Sequence, residues 1–254
     1  MAIPAIVLAG GRAAPELATV AGSEYRPLAA IGGRPMGAYV VAALQATPAI
    51  EEVVVVGPAP CRALGGDRFV ESDAGMLENL FAGFAAGGYE RALAIMADVP
   101  LVTPAALEAF VGEALATGAA FCTCAIPRDA YEAQTPQLRR TWVRLAEGEF
   151  TSGNLGVIER RALDGVRSVV AAAVAARKRP WRLVGLLGAR ALWRWWRGRL
   201  TLAEIEARAS RLVQAPVRIL ITSHAVLGAD VDRPEDLEAV RALLAATGGG
   251  VSAP

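Results

Sequence analysis

Two glycines and an arginine follow a short apolar segment near the N-terminus. Residues 3–9 are apolar throughout, and Gly10, Gly11 and Arg12 come directly after them. Glycines after a strand let backbone N–H groups approach an anion closely, and an arginine adds a bidentate contact to phosphate. The pattern indicates phosphate binding, with a tight turn as the alternative. Since the chain continues Ala-Ala-Pro at 13–15, it has neither the glycine spacing of a dinucleotide fingerprint nor a P-loop.

Carboxylates follow two other predicted strands. Asp98 comes directly after the apolar residues 92–97, and Asp230 and Asp232 lie between a late strand and the final helix. Because the carboxyl ends of parallel strands meet at one edge of a sheet, these side chains can converge with the glycine loop. Each also has a structural alternative, since Asp98 could cap a turn and Asp232 could be the N-cap of the final helix.

The alternation of buried strands with helices predicts the frame that holds these residues. Strands are predicted at 3–9, 53–56, 67–71, 92–97, 119–126, 150–158 and 217–221, and helices at 35–46, 76–86, 104–118, within 160–212 and at 234–246. The helical stretch at 160–212 is expected to break at Pro180 and near Gly198. Thr103 is the expected N-cap of the helix at 104–118. The order predicts an α/β fold of three layers around a mostly parallel, doubly wound sheet. We expect residues 1–254 to form a single domain with a helical insertion at about 160–212, and a long loop before the helix at 35–46.

The composition excludes several classes of protein. With 254 residues and a formal net charge of +1, the chain has no overall charge that would favour nucleic acid. No uncharged run reaches the roughly 18 residues of a transmembrane helix, and the N-terminus lacks the basic region of a signal peptide. Cys61, Cys122 and Cys124 are an odd number of cysteines, which suits a reducing compartment. A cytoplasmic protein is expected, with Cys122 and Cys124 on one face of a strand.

A basic segment rich in tryptophan interrupts this neutral background. No acidic residue lies between Asp164 and Glu204, while residues 177–199 carry eight basic side chains and four tryptophans. On a helical wheel, one face holds arginines and the opposite face apolar residues: Arg190, Arg194 and Arg197 against Trp181 and Trp195. Three interpretations stay open. The apolar face packs on the domain or on a second subunit of a homodimer, the segment contacts an anionic membrane peripherally, or it clamps an anionic acceptor.

Four short elements, in order along the chain, carry a resemblance to a known family. They are Ile6-Val7-Leu8-Ala9-Gly10-Gly11-Arg12, Arg26-Pro27-Leu28 with Gly33-Arg34-Pro35-Met36, the stretch from Met96 to Thr103, and the stretch from Asp230 to Leu237. Together they resemble the MobA-like NTP transferases, which are nucleotidyltransferases of GT-A fold type. The segments 75–80 and 151–154 are similar to a base-facing helix start and an acceptor-binding region of that family.

The resemblance implies roles in nucleotide binding. Leu8, Ala9 and Gly10 would lie against the base of an NTP, and Asn79 would contact the base as well. Gly11, Arg12 and Arg26 would hold the triphosphate.

The resemblance also implies a metal and an acceptor site. Asp98 and Asp232 would hold Mg²⁺, with Asp230 as the alternative ligand. Arg12, Arg26 and Asp98 would be the catalytic residues. Gly153 and Asn154 would contact the phosphorylated acceptor, a sugar phosphate or a similar small molecule.

The implied reaction is transfer of an NMP from an NTP to that acceptor with release of pyrophosphate. Two other activities stay open. A GT-A glycosyltransferase would hold a metal and an NDP-sugar at Asp230 and Asp232. A nucleotide-binding protein with impaired turnover is suggested by the unusual continuation of the glycine loop after Arg12, and by Arg26 where the family has lysine.

Overall fold

A computed structural model describes residues 1–167 and 188–246. Its strands are β1 (Ile3–Leu8), β2 (Ala30–Ile31), β3 (Arg34–Pro35), β4 (Ile50–Gly57), β5 (Arg68–Glu71), β6 (Arg91–Met96), β7 (Phe121–Pro127), β8 (Val143–Leu145), β9 (Gly148–Glu159) and β10 (Val217–Ile221). β2 and β3 form a small hairpin. The others form one sheet in the order β10-β7-β9-β6-β1-β4-β5, with β8 paired to β9.

The helices are α1 (Pro15–Ala21), α2 (Met36–Gln45), α3 (Met76–Gly87), α4 (Pro104–Ala116), α5 (Arg128–Gln134), α6 (Ala189–Trp196), α7 (Leu202–Val213) and α8 (Pro234–Ala246). Residues 160–167 are helical as well. Within the two described ranges, no helix is long and apolar enough to cross a membrane.

Parallel pairing dominates the sheet, as the sequence predicts. β1 runs parallel to both β4 and β6, β4 runs parallel to β5, and β10 runs parallel to β7. β9 is antiparallel to β6 and β7, between which it lies. Such an antiparallel strand is common in large doubly wound sheets.

Both faces of the sheet are covered, which confirms the three-layer α/β fold. Side chains alternate along a strand, so Ala5 and Val7 of β1 enter one apolar cluster and Ile6 and Leu8 enter the other. α2 and α4 pack in the first cluster, and α3 in the second. Because both faces are buried, β1 is apolar at every residue and β4 and β6 carry long apolar runs, which is why these strands stand out in the sequence.

Several predicted boundaries are confirmed. β10 and α8 have the predicted limits, and the other predicted strands and helices agree within a few residues. The hydroxyl of Thr103 accepts from the N–H of Ala106 at 3.3 Å, as expected of an N-cap. Cys122 and Cys124 are buried in the same cluster. The helical stretch breaks at Gly198, which has a φ of 63°.

The expectation of a long loop between β1 and α2 is wrong. The residues from Pro15 to Ala21 form α1, with proline in the first turn and Gly22 in the left-handed conformation at the C-terminal end. These are ordinary helix signals, but the helix is too short for a clear apolar period. The predicted break at Pro180, the basic residues at 177–182 and Trp181 lie outside the described residues.

Candidate functional site

The carboxyl ends of β1 and β6 lie side by side at the centre of the sheet. Leu8 and Met96 are register partners, so Gly10 and Asp98 follow two residues later on adjacent strands. β1 separates β4 and β5 on one side from the strands that come later in the chain on the other side. This is a topological switch point, where open α/β sheets bind their ligands.

A short antiparallel pairing brings Arg26 back to the glycine loop. Arg12 and Tyr25 form a β-bridge, and the N–H of Arg26 donates to the C=O of Gly11 at 2.9 Å. α1 lies in the chain between these two segments. The pairing therefore fixes Arg26 beside Gly11 although the two are far apart in sequence.

The guanidinium of Arg26 lies between two carboxylates. Its Nη1 donates to Oδ2 of Asp98 at 2.8 Å and also to Oδ1 of Asp232. The Asp98 side chain is 7% exposed and that of Asp232 53%, so the cluster runs from the edge of the sheet out to solvent. The N–H of Val231 donates to the C=O of Asp98 at 3.0 Å, which ties the 230–232 segment to the end of β6.

Asp98 is a buried acid with one unpaired oxygen. Its Oδ1 has no hydrogen-bond partner among the described residues. Burial raises the pKa of Asp98 to about 6; Arg26 acts against this, and the charges of Asp230 and Asp232 add to it. A buried carboxylate in this state is stabilised by a further cation.

Asp236, rather than Asp232, interacts with the backbone at the start of α8. Its Oδ2 accepts from the N–H of Asp232 at 3.2 Å and from the N–H of Arg233 at 3.0 Å. The carboxylate of Asp232 is thereby left to face Arg26. Asp230 is engaged elsewhere, in a largely buried ion pair with Arg140.

The two carboxylates on Arg26 fit a divalent cation. Both face one point, where a guanidinium nitrogen now lies, and Oδ1 of Asp98 is free in addition. Residues 1–167 and 188–246 contain no group of three or more His, Cys, Asp or Glu that could hold a metal. Mg²⁺ commonly takes one or two protein carboxylates and completes its shell with water and substrate phosphates. Asp98 and Asp232 therefore suit an ion that arrives together with a nucleotide.

Gly10 is in close contact with Asn79 at the start of α3. A Cβ on Gly10 would lie 2.6 Å from Nδ2 of Asn79, so only glycine fits here without a shift. Asn79 is 1% exposed, and its Oδ1 accepts from the hydroxyl of Ser72 at 2.6 Å. The amide is thereby oriented with its NH₂ group toward the glycine loop.

Two cavities meet at Arg26. The first, called here the arginine cavity, has a volume of about 480 Å³ and is lined by Arg12, Arg26, Asp232 and Arg233, together with Ala13, Ala14, Glu16, Leu17 and Pro234. The second, called here the apolar cavity, also measures about 480 Å³ and contains Arg26, Asp98 and Asp230. Most of its other described lining residues are apolar. Volumes in this range are typical of small-molecule sites.

The predicted acceptor residues line the apolar cavity. Gly153 and Asn154 reach it from the middle of β9, together with Leu8 from β1. A Cβ on Gly153 would overlap the sulfur of Cys124, so packing against that buried thiol requires glycine here.

The predicted nucleotide residues divide between the surface and the core. Arg12 lines the arginine cavity, where it pairs with Glu24 at 2.7 Å and Asp73 at 2.8 Å. Ala9 is fully buried, and the thiol of Cys61 donates to its C=O at 3.3 Å. The backbone of Ala9 is therefore fixed inside the protein, whereas Arg12 lies at the surface, where its ion pairs are exposed to solvent.

Arg140 and Arg233 belong to the site but were not predicted from the sequence. Arg140 binds the carboxylate of Asp230, and its Nη2 donates to the C=O of the same residue at 3.0 Å. Arg233 lines the arginine cavity. Arg233 lies inside the fourth resembling element, which is a signal that could have found it. Arg140 follows a stretch with no clear helical or strand period, and no such signal marks it.

Comparisons with known proteins identify the family of this chain. The MobA-like NTP transferase domain family matches residues 5–184. A solved structure of a hypothetical transferase from Thermus thermophilus is 38% identical, with a TM-score of 0.78, and the alignment covers 93% of this chain and 100% of that chain. None of the curated proteins compared with the chain matches it.

More distant solved structures share the fold. A CMP:2-keto-3-deoxy-manno-octonic acid synthetase complexed with CTP is 18% identical with a TM-score of 0.61, and the alignment covers 97% of this chain and 100% of that chain. A 2-C-methyl-D-erythritol 4-phosphate cytidylyltransferase, also from Thermus thermophilus, is 15% identical with a TM-score of 0.54, over 96% and 100% of the two chains.

Proposed function

This chain belongs to the MobA-like NTP transferase family and is a nucleotidyltransferase, and we propose that it joins an NMP from an NTP to a phosphorylated acceptor with the help of Mg²⁺. An oxygen of the acceptor phosphate forms a bond to the α-phosphorus of the NTP. The bond from the α-phosphorus to the bridging oxygen of the leaving pyrophosphate breaks, so one pyrophosphate is released for each product formed.

The observation that carries this proposal is the convergence of Arg26, Asp98 and Asp232 where the two cavities meet. A transfer between two phosphate-bearing substrates needs one site for each of them, with the reacting atoms at the junction. The arginine cavity, with three guanidinium groups, suits the triphosphate. The apolar cavity, with Gly153 and Asn154, is left for the acceptor.

The charged residues at the junction have complementary tasks. Asp98 and Asp232 would hold the metal ion, which would supply positive charge to the substrate phosphates. Arg26 exchanges its carboxylate partners for phosphate oxygens when the nucleotide binds, and Arg12 and Arg233 bind the outer phosphates. Because Asp230 is held by Arg140, the geometry favours Asp232 over Asp230 as the second ligand.

The base lies over the glycine loop. Gly10 has no side chain that would hold the base away, and the NH₂ group of Asn79 donates to an acceptor atom on the base. The hydrogen bond from Ser72 keeps that amide oriented.

Pyrophosphate release tests the activity directly. The protein is incubated with Mg²⁺, each of the four NTPs and a panel of phosphorylated acceptors. We expect release with one NTP and a fall in kcat/KM of about 100-fold or more in Asp98→Asn and Asp232→Asn, because each substitution removes a charged ligand. Asp129→Asn is the matched control, since Asp129 is an exposed carboxylate in the first turn of α5.

Two results would contradict the proposed reaction. Consumption of a nucleotide sugar without pyrophosphate would identify a glycosyltransferase. Tight nucleotide binding with no turnover on any acceptor would identify a binding protein.

A further inference from the structure

The apolar cavity is poorly equipped to bind a polyhydroxylated acceptor. Its wall includes Leu77, Leu80, Met96, Phe121, Ile158 and Val166. The polar side chains among its described lining residues are Arg26, Asp98, Thr123, Asn154 and Asp230. A cavity with such a wall gains most from burying an apolar group.

Most of these polar side chains are already engaged. Asp230 binds Arg140, and the hydroxyl of Thr123 donates to the C=O of Leu155 at 2.8 Å. Arg26 and Asp98 are taken by the phosphates and the metal ion in the proposed reaction. Asn154 is left to meet an acceptor. A sugar would bury several hydroxyl groups against this wall, and each hydroxyl without a partner costs about 1–3 kcal/mol.

We propose that the acceptor is a phosphate monoester whose organic part is apolar, such as an alkyl or isoprenyl chain. Its phosphate lies beside Arg26 and Asp98, and the chain lies along the wall formed by α3, β6 and β9. This inference rests on the proposed nucleotidyl transfer and names the substrate class of the same site. The reaction is unchanged, with the new bond formed from the acceptor phosphate to the α-phosphorus and pyrophosphate as the leaving group.

Two acceptors distinguish the classes. Pyrophosphate release is measured with Mg²⁺ and each NTP, using geranyl monophosphate or glucose 1-phosphate, and binding of geranyl monophosphate without NTP is measured by calorimetry. We expect kcat/KM to favour geranyl monophosphate by at least about tenfold. A preference for glucose 1-phosphate overturns the apolar acceptor and leaves nucleotidyl transfer intact. If calorimetry shows binding of geranyl monophosphate but neither acceptor gives pyrophosphate release, the result supports an apolar ligand in this cavity and contradicts nucleotidyl transfer. If geranyl monophosphate is neither bound nor turned over, the proposal of an apolar acceptor is overturned.

A wall variant separates the acceptor from the nucleotide. Val166 is a half-buried wall residue in the helical residues 160–167. Val166→Gln is expected to raise the KM for geranyl monophosphate roughly tenfold and to leave the KM for the NTP unchanged. Val143→Gln, at an exposed residue of β8, is the control for an apolar-to-polar change outside the cavity. An increase in the KM for the NTP alone would mean that the nucleotide occupies this wall, and would overturn the assignment.

A second, independent observation concerns α6, which presents aromatic side chains to solvent. Trp193, Trp195 and Trp196 are 51%, 51% and 77% exposed. The guanidinium of Arg197 lies 5.0 Å from the ring centre of Trp193 and 5.9 Å from that of Trp196. These four residues are called here the tryptophan patch.

The tryptophan patch differs from an apolar face packed on the domain. Trp195 belongs to the predicted apolar side of the helix, and half of its surface is exposed. The helix is held by its arginine side instead, because Nε of Arg194 donates to Glu204 at 3.0 Å and its Nη2 to the C=O of Arg199 at 2.7 Å. The segment between Asp164 and Glu204 contains basic residues and no acidic one.

The tryptophan patch is connected to the acceptor side of the site. The N–H of Ala146 donates to the C=O of Leu200 at 2.8 Å, and Leu202 packs against Phe150 at the start of β9. The same strand carries Asn154 into the apolar cavity. At about 3.3 Å per residue, Phe150 and Asn154 are separated by less than roughly 15 Å.

We infer that the tryptophan patch docks on an anionic lipid bilayer. Indole rings favour the boundary between headgroups and acyl chains, and clustered arginines are attracted to anionic lipid. Docking in this way brings the acceptor side of the site close to a membrane surface.

Vesicle sedimentation tests this docking. The full chain is mixed at low salt with vesicles of phosphatidylcholine alone, or of phosphatidylcholine with phosphatidylglycerol. We expect binding to the anionic vesicles, weakening with added salt, and a loss of roughly tenfold in affinity in Trp193→Ala/Trp196→Ala. Ile221→Ala, at an equally exposed apolar residue of β10, is the control and should bind as the parent does. Equal binding to both vesicle types, no binding at low salt, or binding unaffected by the double substitution overturns the inference.

Discussion

At the scale of single residues, Asp98 combines burial with a free oxygen at the end of β6. An ionised carboxylate that is buried with an unpaired oxygen destabilises the folded chain, and a bound cation would offset that cost. This trade of stability for function is common at catalytic sites.

The contribution of Asp98 to the stability of the metal-free protein should therefore fall as pH rises. Burial raises the pKa of Asp98 to about 6 in the folded chain, while an unfolded aspartate titrates near 3.9. The folded state binds this proton more tightly, so the contribution of Asp98 is most favourable below about pH 4 and is lost as pH rises to about 6, a difference on the order of 3 kcal/mol. Urea unfolding across this range measures it. Asp98→Asn should lose most of the dependence and Asp129→Asn should keep it; an unchanged profile in Asp98→Asn would contradict the assignment.

Gly10 gives a second prediction at this scale. Gly10→Ala would press a methyl group against Nδ2 of Asn79, 2.6 Å away, and displace the amide that we propose contacts the base. We expect a KM for the NTP raised by roughly tenfold, since one well-placed polar contact is lost. Gly112→Ala, in α4 with nothing near its Cβ, is the matched control, and it should stabilise the protein by up to about 1 kcal/mol. An unchanged KM in Gly10→Ala would argue against base binding at this loop.

At the scale of elements, α7 begins with a complete capping box. The hydroxyl of Thr201 accepts from the N–H of Glu204, and the carboxylate of Glu204 accepts from the N–H of Thr201. Glu204 also binds Arg194 of α6. One residue thus stabilises the start of α7 and links the helix that bears the tryptophan patch to it.

Loss of the cap should be measurable. Thr201→Ala is expected to lower the free energy of unfolding by about 1 kcal/mol, because an N-terminal N–H of α7 loses its partner. Thr103→Ala removes the hydroxyl cap of α4 and should have an effect of similar size. Urea denaturation followed by circular dichroism measures both. No change in Thr201→Ala would mean that water replaces the cap at no cost.

At the scale of the whole molecule, the site depends on contacts between distant segments. Arg26 lies after α1, Asp98 after β6 and Asp232 before α8. Arg140 holds Asp230 from the segment between α5 and β8. The sheet brings the strand ends together, and the connecting segments supply the charges.

The ion pair of Arg140 and Asp230 should stabilise this arrangement. Both side chains are largely buried, at 10% and 13% exposure. Arg140→Ala leaves the carboxylate without its partner and is expected to lower the free energy of unfolding by about 3 kcal/mol. In a double-mutant cycle, Arg140→Met with Asp230→Leu should recover a large part of that loss, since an apolar pair of similar size needs no charge compensation. Additive effects of the two single substitutions would show that the groups do not interact.

The frame and most residues of the candidate site can be predicted from the amino-acid sequence. Strands buried on both faces are rich in apolar residues, and glycine, proline and aspartate mark the ends of many elements, so β1, β6 and α8 were predictable from local pattern. The four resembling elements indicated the family and the residues that meet at the switch point. These features are local, because each depends on a few consecutive residues.

Which charged side chains pair, and which residues line the cavities, depends on the tertiary structure. That Asp232 rather than Asp230 faces Arg26 depends on Arg140 and Asp236, which no short pattern connects with either aspartate. The apolar wall collects residues from α3, β6, β7 and β9, and the exposure of Trp195 depends on how α6 is held by α7. Contacts between residues far apart in the chain depend on how the whole chain packs, so they cannot be predicted from residue spacing along the sequence.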